Sequence, residues 1–383
     1  MQLRTITALP ADLTDVPVLV RASLNVPLTK DGTVRNRFRV ARATPTLREL
    51  AERGARVTLI SHIGRDPAET LRPVYEALAQ ELAIQWGGSV TDDAFAAAHA
   101  SLGAGEILMA ENLRQDEREQ ANDPAFAAHL AQFGEYFVND AFAEVHRPHA
   151  SLMGVTDHLT AYAGRALAEE VRSLEAAMAP RSPSLFLLGG AKFDTKFPLI
   201  DKYLRLYDHV FIGGALANDV FKARGYEVGR SLTSEIDLTD SPLLSEPHLL
   251  TPIDVVVDGP AGRQVRTPDA VGADESILDC GPETVAMLED HIARAQTVLW
   301  NGPFGNYEGG YTDGTEDTCR ALANSSARVY VGGGDTVAAI ATLDLFDRLG
   351  FVSVGGGAML AFLEAGSTPV LETLRQRSQQ AAE

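Results

Sequence analysis

The sequence predicts an α/β chain of two domains built on mostly parallel sheets, and three observations carry that expectation. Apolar runs of three to six residues alternate with longer stretches of helical period throughout, the pattern of βαβ units covered on both faces. At 383 residues the chain is too long for one core. Past residue 180 the groups that follow the apolar runs change from arginine and histidine to glycine.

In the first half, strands are predicted at 18–20, 57–60, 107–109 and 136–138. Each ends in polar groups: Arg21, Ser23 and Asn25; then Ser61, His62 and Arg65; then Glu111, Asn112 and Arg114; then Asn139 and Asp140. Open α/β sheets bind ligands at these carboxyl ends. Arg39, His146, Arg147 and His149 join the collection. In a chain of net charge -19, so many cations at strand ends point to an anion pocket, with arginine suited to bidentate contact with carboxylate or phosphate. The run His146-Arg147-Pro148-His149 invites a metal reading too, but no cysteine or third histidine accompanies it at ligand spacing.

Leu167, Val171, Leu174 and Met178 fall on one face of a helix that ends at Pro180, and Arg181-Ser182-Pro183-Ser184 reads as a linker. Beyond it, strands predicted at 185–188, 210–212, 298–300, 329–331 and 352–354 run into Gly189-Gly190, Gly213-Gly214, Asn301-Gly302-Pro303, Gly332-Gly333-Gly334 and Gly355-Gly356-Gly357. A glycine-rich turn opening a helix lets phosphate reach backbone N–H groups at the positive end of the helix dipole. Tight strand–helix packing explains one such turn as well. Five of them, with Lys192, Lys196, Asp335 and Thr336 nearby, point to a nucleotide or polyphosphate. Neither the Walker A motif nor the dinucleotide fingerprint occurs. Asp335 reads as the cap of a helix beginning near Thr336 or as a Mg²⁺ ligand beside phosphates.

The acidic balance opposes nucleic-acid and anionic-membrane partners. No signal segment opens the sequence and no run of 18 apolar residues occurs, so a cytoplasmic location is expected. Cys280 and Cys319 read as reduced structural thiols. An anion half-site and a nucleotide half-site, on two domains joined by a helix, imply hinge closure.

Eight stretches now fall into a familiar order: Val20-Arg21 with Asn25-Val26-Pro27; Arg39-Val40 ahead of Pro45-Thr46-Leu47; Ser61-His62-Ile63-Gly64-Arg65; Glu111-Asn112-Leu113-Arg114; Asn139-Asp140-Ala141-Phe142 with His146-Arg147-Pro148-His149-Ala150-Ser151; Gly189-Gly190-Ala191-Lys192 with Lys196; Trp300-Asn301-Gly302-Pro303 with Glu308; and Gly332-Gly333-Gly334-Asp335-Thr336. In order and spacing they resemble the phosphoglycerate kinase family over nearly the full length. The resemblance implies two doubly wound, Rossmann-like parallel-sheet domains joined by a hinge helix. Residues 1–165, completed by 368–383, would bind the acid; 166–180 would form the interdomain helix; 181–367 would bind the nucleotide.

It further implies a monomer that transfers a phosphoryl group reversibly between ATP and the carboxylate of 3-phosphoglycerate or a close analogue, yielding ADP and an acyl phosphate, with Mg²⁺. Position by position, the acid would meet Arg21, Ser23, Asn25, His62, Arg65, Arg114 and Arg147. The nucleotide would meet Gly190, Lys196, Gly213, Gly214, Asn301, Pro303, Glu308, Gly333, Gly334 and Thr336, with Asp335 on the metal. Arg39, Lys192 and Lys196 would be catalytic, neutralising the transferring group. A carboxylate nucleophile has a reference pKa of about 4 and needs no general base; it needs positioning and charge neutralisation.

The chain departs from the family pattern at functional turns. The opening loop, Arg-Val-Asp-Phe-Asn in the family, is Arg21-Ala22-Ser23-Leu24-Asn25, and the missing aspartate is the family's contact to the substrate hydroxyl. Ala143-Glu144 replaces Gly-Thr, Thr195 replaces Asp, and Val354 and Met359 stand where Thr and Ser are usual. Loss of a charged acceptor for a buried hydroxyl costs roughly 1.5–3 kcal/mol, on the order of ten- to a hundredfold in affinity. Three functions are therefore carried forward: a divergent glycolytic kinase, a paralogue acting on a related phosphono- or phosphocarboxylic acid in biosynthesis, and a catalytically silent binding protein.

Overall fold

The first apolar run becomes β1 (Pro17–Ala22), in which Val18, Leu19 and Val20 have no exposed surface. A strand covered on both faces has no polar side, so it appears as an unbroken apolar run. Around it stand β2 (Arg56–Ile60), β3 (Ile84–Gly88), β4 (Ile107–Ala110), β5 (Tyr136–Asp140) and β6 (Thr160–Ala163), in the order β3-β4-β2-β1-β5-β6. Every pairing is parallel. This computed structural model describes residues 3–191 and 193–380.

The chain divides into two units, Met1–Arg172 with Ala365–Glu383, and Ser173–Glu364. The division falls inside the helix Arg165–Ala177. The helix Pro369–Gln380 belongs to the first unit because it buries Val370, Leu371 and Leu374 there, and the Val370 N–H donates to the Val145 carbonyl at 3.3 Å.

In the second unit β7 (Ser184–Leu188), β8 (His209–Ile212) and β9 (Leu249–Leu250) precede β10 (Val255–Asp258), β11 (Gln264–Arg266) and β12 (Ser276–Cys280); β13 (Thr297–Asn301), β14 (Arg328–Gly332) and β15 (Phe351–Val352) follow. Six of them form a second parallel sheet, β15-β14-β13-β7-β8-β9, while β11-β10-β12 form a small antiparallel one.

Six strands lie outside the sequence expectation: β9 is only two residues long, β10 is a short buried run of three valines, and the other four have a common cause. β3 and β6 are sheet edges with few apolar residues, and β11 and β12 are short, partly exposed ribbon strands. None of them needs an apolar run. The strand predicted at 352–354 is shorter and earlier, ending at Val352. Among the described residues no helix is long and apolar enough to cross a membrane. Cys280 and Cys319 are free and buried, and burial pushes the Cys319 thiol up to about 12, which leaves it unreactive.

Strand order reverses beside the first strand of each parallel sheet. β1 lies between β2 and β5, and β7 between β8 and β13. Such a switch point leaves a crevice beyond the carboxyl ends of the flanking strands. The candidate site residues cluster at those two crevices.

Candidate active site

Arg21, the last but one residue of β1, is fully buried, and its guanidinium organises the first crevice. Nε donates to Ser151 Oγ at 3.1 Å, Nη1 to the Ala22 carbonyl and to Ser61 Oγ at 3.2 Å, and Nη2 to His62 Nδ1 at 2.8 Å. Ser151 Oγ in turn donates to Glu119 Oε1 at 2.6 Å. Glu119 is buried, and burial raises its pKa against the pull of Arg21. Arginine is always a donor, so His62 Nδ1 accepts and the ring proton sits on Nε2. Burial first, then Arg21, Arg114 and Arg147, depress the basicity of His62 far below that of an ordinary histidine, which keeps it neutral. His149 is held down to about 4 by burial and the same three arginines.

The loop after β1 braces this cluster. The Asn25 carbonyl accepts from Arg39 Nη1, and its side-chain oxygen accepts from the Gly64 N–H at 2.9 Å. Arg114 Nη1 donates to the Gly64 carbonyl, at a backbone position with φ of +62° that suits glycine. Asn112 ties the strand ends together, donating to the Ile63 and Glu69 carbonyls at 3.0 and 2.8 Å. Arg65 and Arg147 are exposed; Arg147 Nε donates to His146 Nε2 at 3.1 Å. Ser23 is buried, donates to Glu144 Oε2 at 2.6 Å and accepts from the Ala143 N–H at 3.2 Å.

Ser61, Ser151, Glu119 and Glu144 were not among the sequence candidates for the site. Glu119 sits in the charged run Asp116-Glu117-Arg118-Glu119-Gln120, which reads as a solvated helix, so no sequence signal singled it out. Glu144 carried one signal, its departure from Gly-Thr. The His146–His149 run holds no metal cluster: among the described residues no group of three or more potential ligands occurs.

The second crevice is a cleft of about 450 Å³. Gly190, Gly214, Pro303, Glu308 and Asp335, five of the residues that the resemblance assigns to the nucleotide and its metal, line it together with apolar Phe221, Leu232 and Val255 and buried Asp279. The antiparallel sheet supplies one wall through Val255 and Ser276 to Cys280. Burial pushes Asp279 up to about 7, although the Cys280 and Gly314 N–H groups donate to it at 2.9 and 3.1 Å.

The glycines have a second reason. The turns after β7, β8 and β13 lean on one another: the Gly190 N–H donates to the Pro303 carbonyl at 2.7 Å, and a Cβ on Gly214 would stand 2.7 Å from Gly190 N. A Cβ on Gly213 would meet Phe304 at 2.6 Å, which places Gly213 against the core. Asn301 is buried at the end of β13, its amide 3.7 Å from Met359 Sδ. Asp335 lies in the first turn of the helix Gly334–Thr342, but Gly333 is the N-cap, so the capping reading of Asp335 is corrected; the residue is exposed and lines the cleft. Gly334 is exposed, and buried Thr336 Oγ1 has no hydrogen-bond partner among the described residues. Lys196 is buried with Nζ 2.5 Å from the Gly189 carbonyl, and burial lowers it to about 8. Lys192 and the side chain of Thr195 lie outside the described residues.

A cation-lined crevice in one α/β unit and a glycine-walled cleft in the other are the two surfaces that a small-molecule kinase needs. The profile of the phosphoglycerate kinase family matches residues 9–366. The chain is 38% identical to the phosphoglycerate kinase of Sinorhizobium medicae, over 96% of this chain and 98% of that one, and 40% identical to that of Rubrobacter xylanophilus, over 94% and 96%. Among solved structures, the phosphoglycerate kinase of Coxiella burnetii superposes with a TM-score of 0.83 at 34% identity, and that of Pyrococcus horikoshii with 0.85 at 27%, each over 99% of this chain and all of the other. The chain belongs to the phosphoglycerate kinase family, ATP-dependent kinases that act on a carboxylate. Neither the biosynthetic paralogue nor the silent binding protein is favoured by these likenesses.

Proposed function

We propose that this chain transfers a phosphoryl group reversibly between ATP and the carboxylate of 3-phosphoglycerate. The observation that carries the reading is the gathering of Arg21, Arg114 and Arg147 about one buried, neutral histidine at the β1–β5 crevice. Such a basin suits an acid that bears a second anionic group, because a single carboxylate would leave most of its positive charge unmatched.

In this reading Arg65, Arg114 and Arg147 hold the phosphate of the acid, and Asn25 with Arg39 orients its carboxylate. Arg39, Lys192 and Lys196 neutralise the transferring group. Lys196 loses proton affinity by burial, and phosphate oxygens at the Gly189-Gly190 turn would restore it. Glu308, exposed on the cleft lining, would meet the ribose hydroxyls, and the glycine turns would meet the phosphates.

Asp335 brings an exposed carboxylate to the cleft, which suits Mg²⁺ carried in by a nucleotide, since that ion is satisfied by one or two carboxylates together with phosphate and water oxygens. Bound there, it would supply charge neutralisation on the nucleotide phosphates. The acid crevice and the nucleotide cleft belong to separate units, so transfer calls for hinge motion about the connecting helix. A cytoplasmic monomer is the setting proposed. A coupled assay of ADP formation with 3-phosphoglycerate and with its phosphonate analogue tests the reading. Turnover of 3-phosphoglycerate is expected, and turnover of the phosphonate alone, or of neither acid, would overturn it.

A further inference from the structure

The first crevice contains a buried donor and a carboxylate that do not reach each other. His62 is 2% exposed, its proton is fixed on Nε2 by the Arg21 contact to Nδ1, and Nε2 has no hydrogen-bond partner among the described residues. Facing it across 3.9 Å is Glu144 Oε1, on a side chain whose other oxygen is pinned by Ser23 at 2.6 Å. That separation exceeds a hydrogen bond, and the neutral ring makes no ion pair across it.

An oxygen placed about 2.8 Å from both atoms bridges the gap, provided that it accepts from Nε2–H and donates to the carboxylate. A hydroxyl does both. An ionised carboxylate or phosphate oxygen has no proton to give and is repelled by Glu144. Ser23 and Glu144 also come from the loops after β1 and β5, so their contact crosses the switch-point crevice itself. With a neutral residue at 23 and an acid at 144, the carboxylate that faces His62 comes from the β5 side.

We infer that Glu144, held by Ser23 and facing His62, is the specificity residue that selects the hydroxyl of a hydroxyl-bearing acid. Ser23 is its positioning partner. The inference rests on the kinase reading above and names the group by which that site chooses its acid.

The test compares dissociation constants, by calorimetry on the full chain without nucleotide, for 3-phosphoglycerate and for 3-phosphonooxypropanoate, the same acid with hydrogen in place of the hydroxyl. The preference for the hydroxylated acid should fall on the order of ten- to a hundredfold in Glu144→Gln, the cost of losing a charged partner for a buried hydroxyl. Glu144→Thr should lose the preference likewise, and adding Ser23→Asp to it should restore it by returning the carboxylate to the β1 side. Ser23→Asp alone should weaken both acids, because it sets two carboxylates against each other.

A merely structural Glu144 would weaken both acids alike and leave the ratio unmoved, which overturns the inference, as does a folded double variant that recovers no preference. Failure of the wild type to form ADP from ATP and 3-phosphoglycerate would sink the kinase reading. Wild-type turnover with an unmoved ratio in Glu144→Gln sinks only the inference about the hydroxyl.

Discussion

Arg21→Lys keeps the positive charge in the first crevice and removes the fork. The guanidinium has five N–H donors on three nitrogens, and four of them meet Ser151, Ala22, Ser61 and His62. One Nη2 N–H remains, on a side chain with no exposed surface, so Arg21 acts mainly as framework and source of potential. A lysine ammonium offers three donors from one point and cannot span the four acceptors. If two contacts are lost, each leaving a buried group unsatisfied at about 1–3 kcal/mol, the cost is about 2–6 kcal/mol. Hydrogen exchange resolved to β1 and β2 reads the change within the unit concerned and does not assume that both units unfold together. His62 should also become more basic as the donor to its Nδ1 goes, which histidine NMR reports. Protection of β1 and β2 unchanged to within about 0.5 kcal/mol, alongside weaker acid binding, would refute the framework role and make Arg21 a direct ligand.

His149 is held at about 4 against an ordinary 6.5, so below about pH 6.5 the unfolded chain takes a proton that the folded chain refuses. The first unit should therefore lose stability as pH falls from about 6.5 to about 4, and His149→Gln should reduce the slope in hydrogen exchange. Asp279 is raised to about 7 from 3.8, the opposite sense: its ionisation opposes folding, and the second unit should lose stability as pH rises from about 4 to about 7 and level off above. Asp279→Asn should flatten that arm of the profile. Gly214→Ala puts a Cβ 2.7 Å from Gly190 N at a backbone φ of +63°, so stability should fall by about 1–3 kcal/mol and KM for ATP should rise while the affinity for the acid holds.

The buried parallel strands and the order of the motifs were legible because both depend on local composition. Val18 to Val20 and Leu185 to Leu188 are apolar without interruption since each is covered on both faces. The edge strand Ile84 to Gly88 was not legible, because it needs few apolar residues when much of it faces solvent. The antiparallel ribbon, which walls the second cleft, escaped because β11 and β12 are partly exposed and β10 offers only a short run of three valines. The glycine turns were readable as a class, but their mutual packing was not, because a Cβ clash between Gly214 and Gly190 involves residues 24 apart in sequence.

The sequence by itself determined the class of chemistry, since arginine and histidine at strand ends, glycine at others, and lysine and aspartate beside them are requirements of charge and backbone geometry at single positions. Only the tertiary structure decided which of these groups are spent on one another and which are left facing a crevice. Arg21 is spent largely on its neighbours, and Glu119 supports it from a run that looks solvated. Ser23, read along the chain, is an acid lost. Read in space, it holds Glu144 at 2.6 Å across the crevice, a contact 121 residues apart in sequence. Charge in a pocket is summed over whatever the fold brings together, and no local stretch contains that sum.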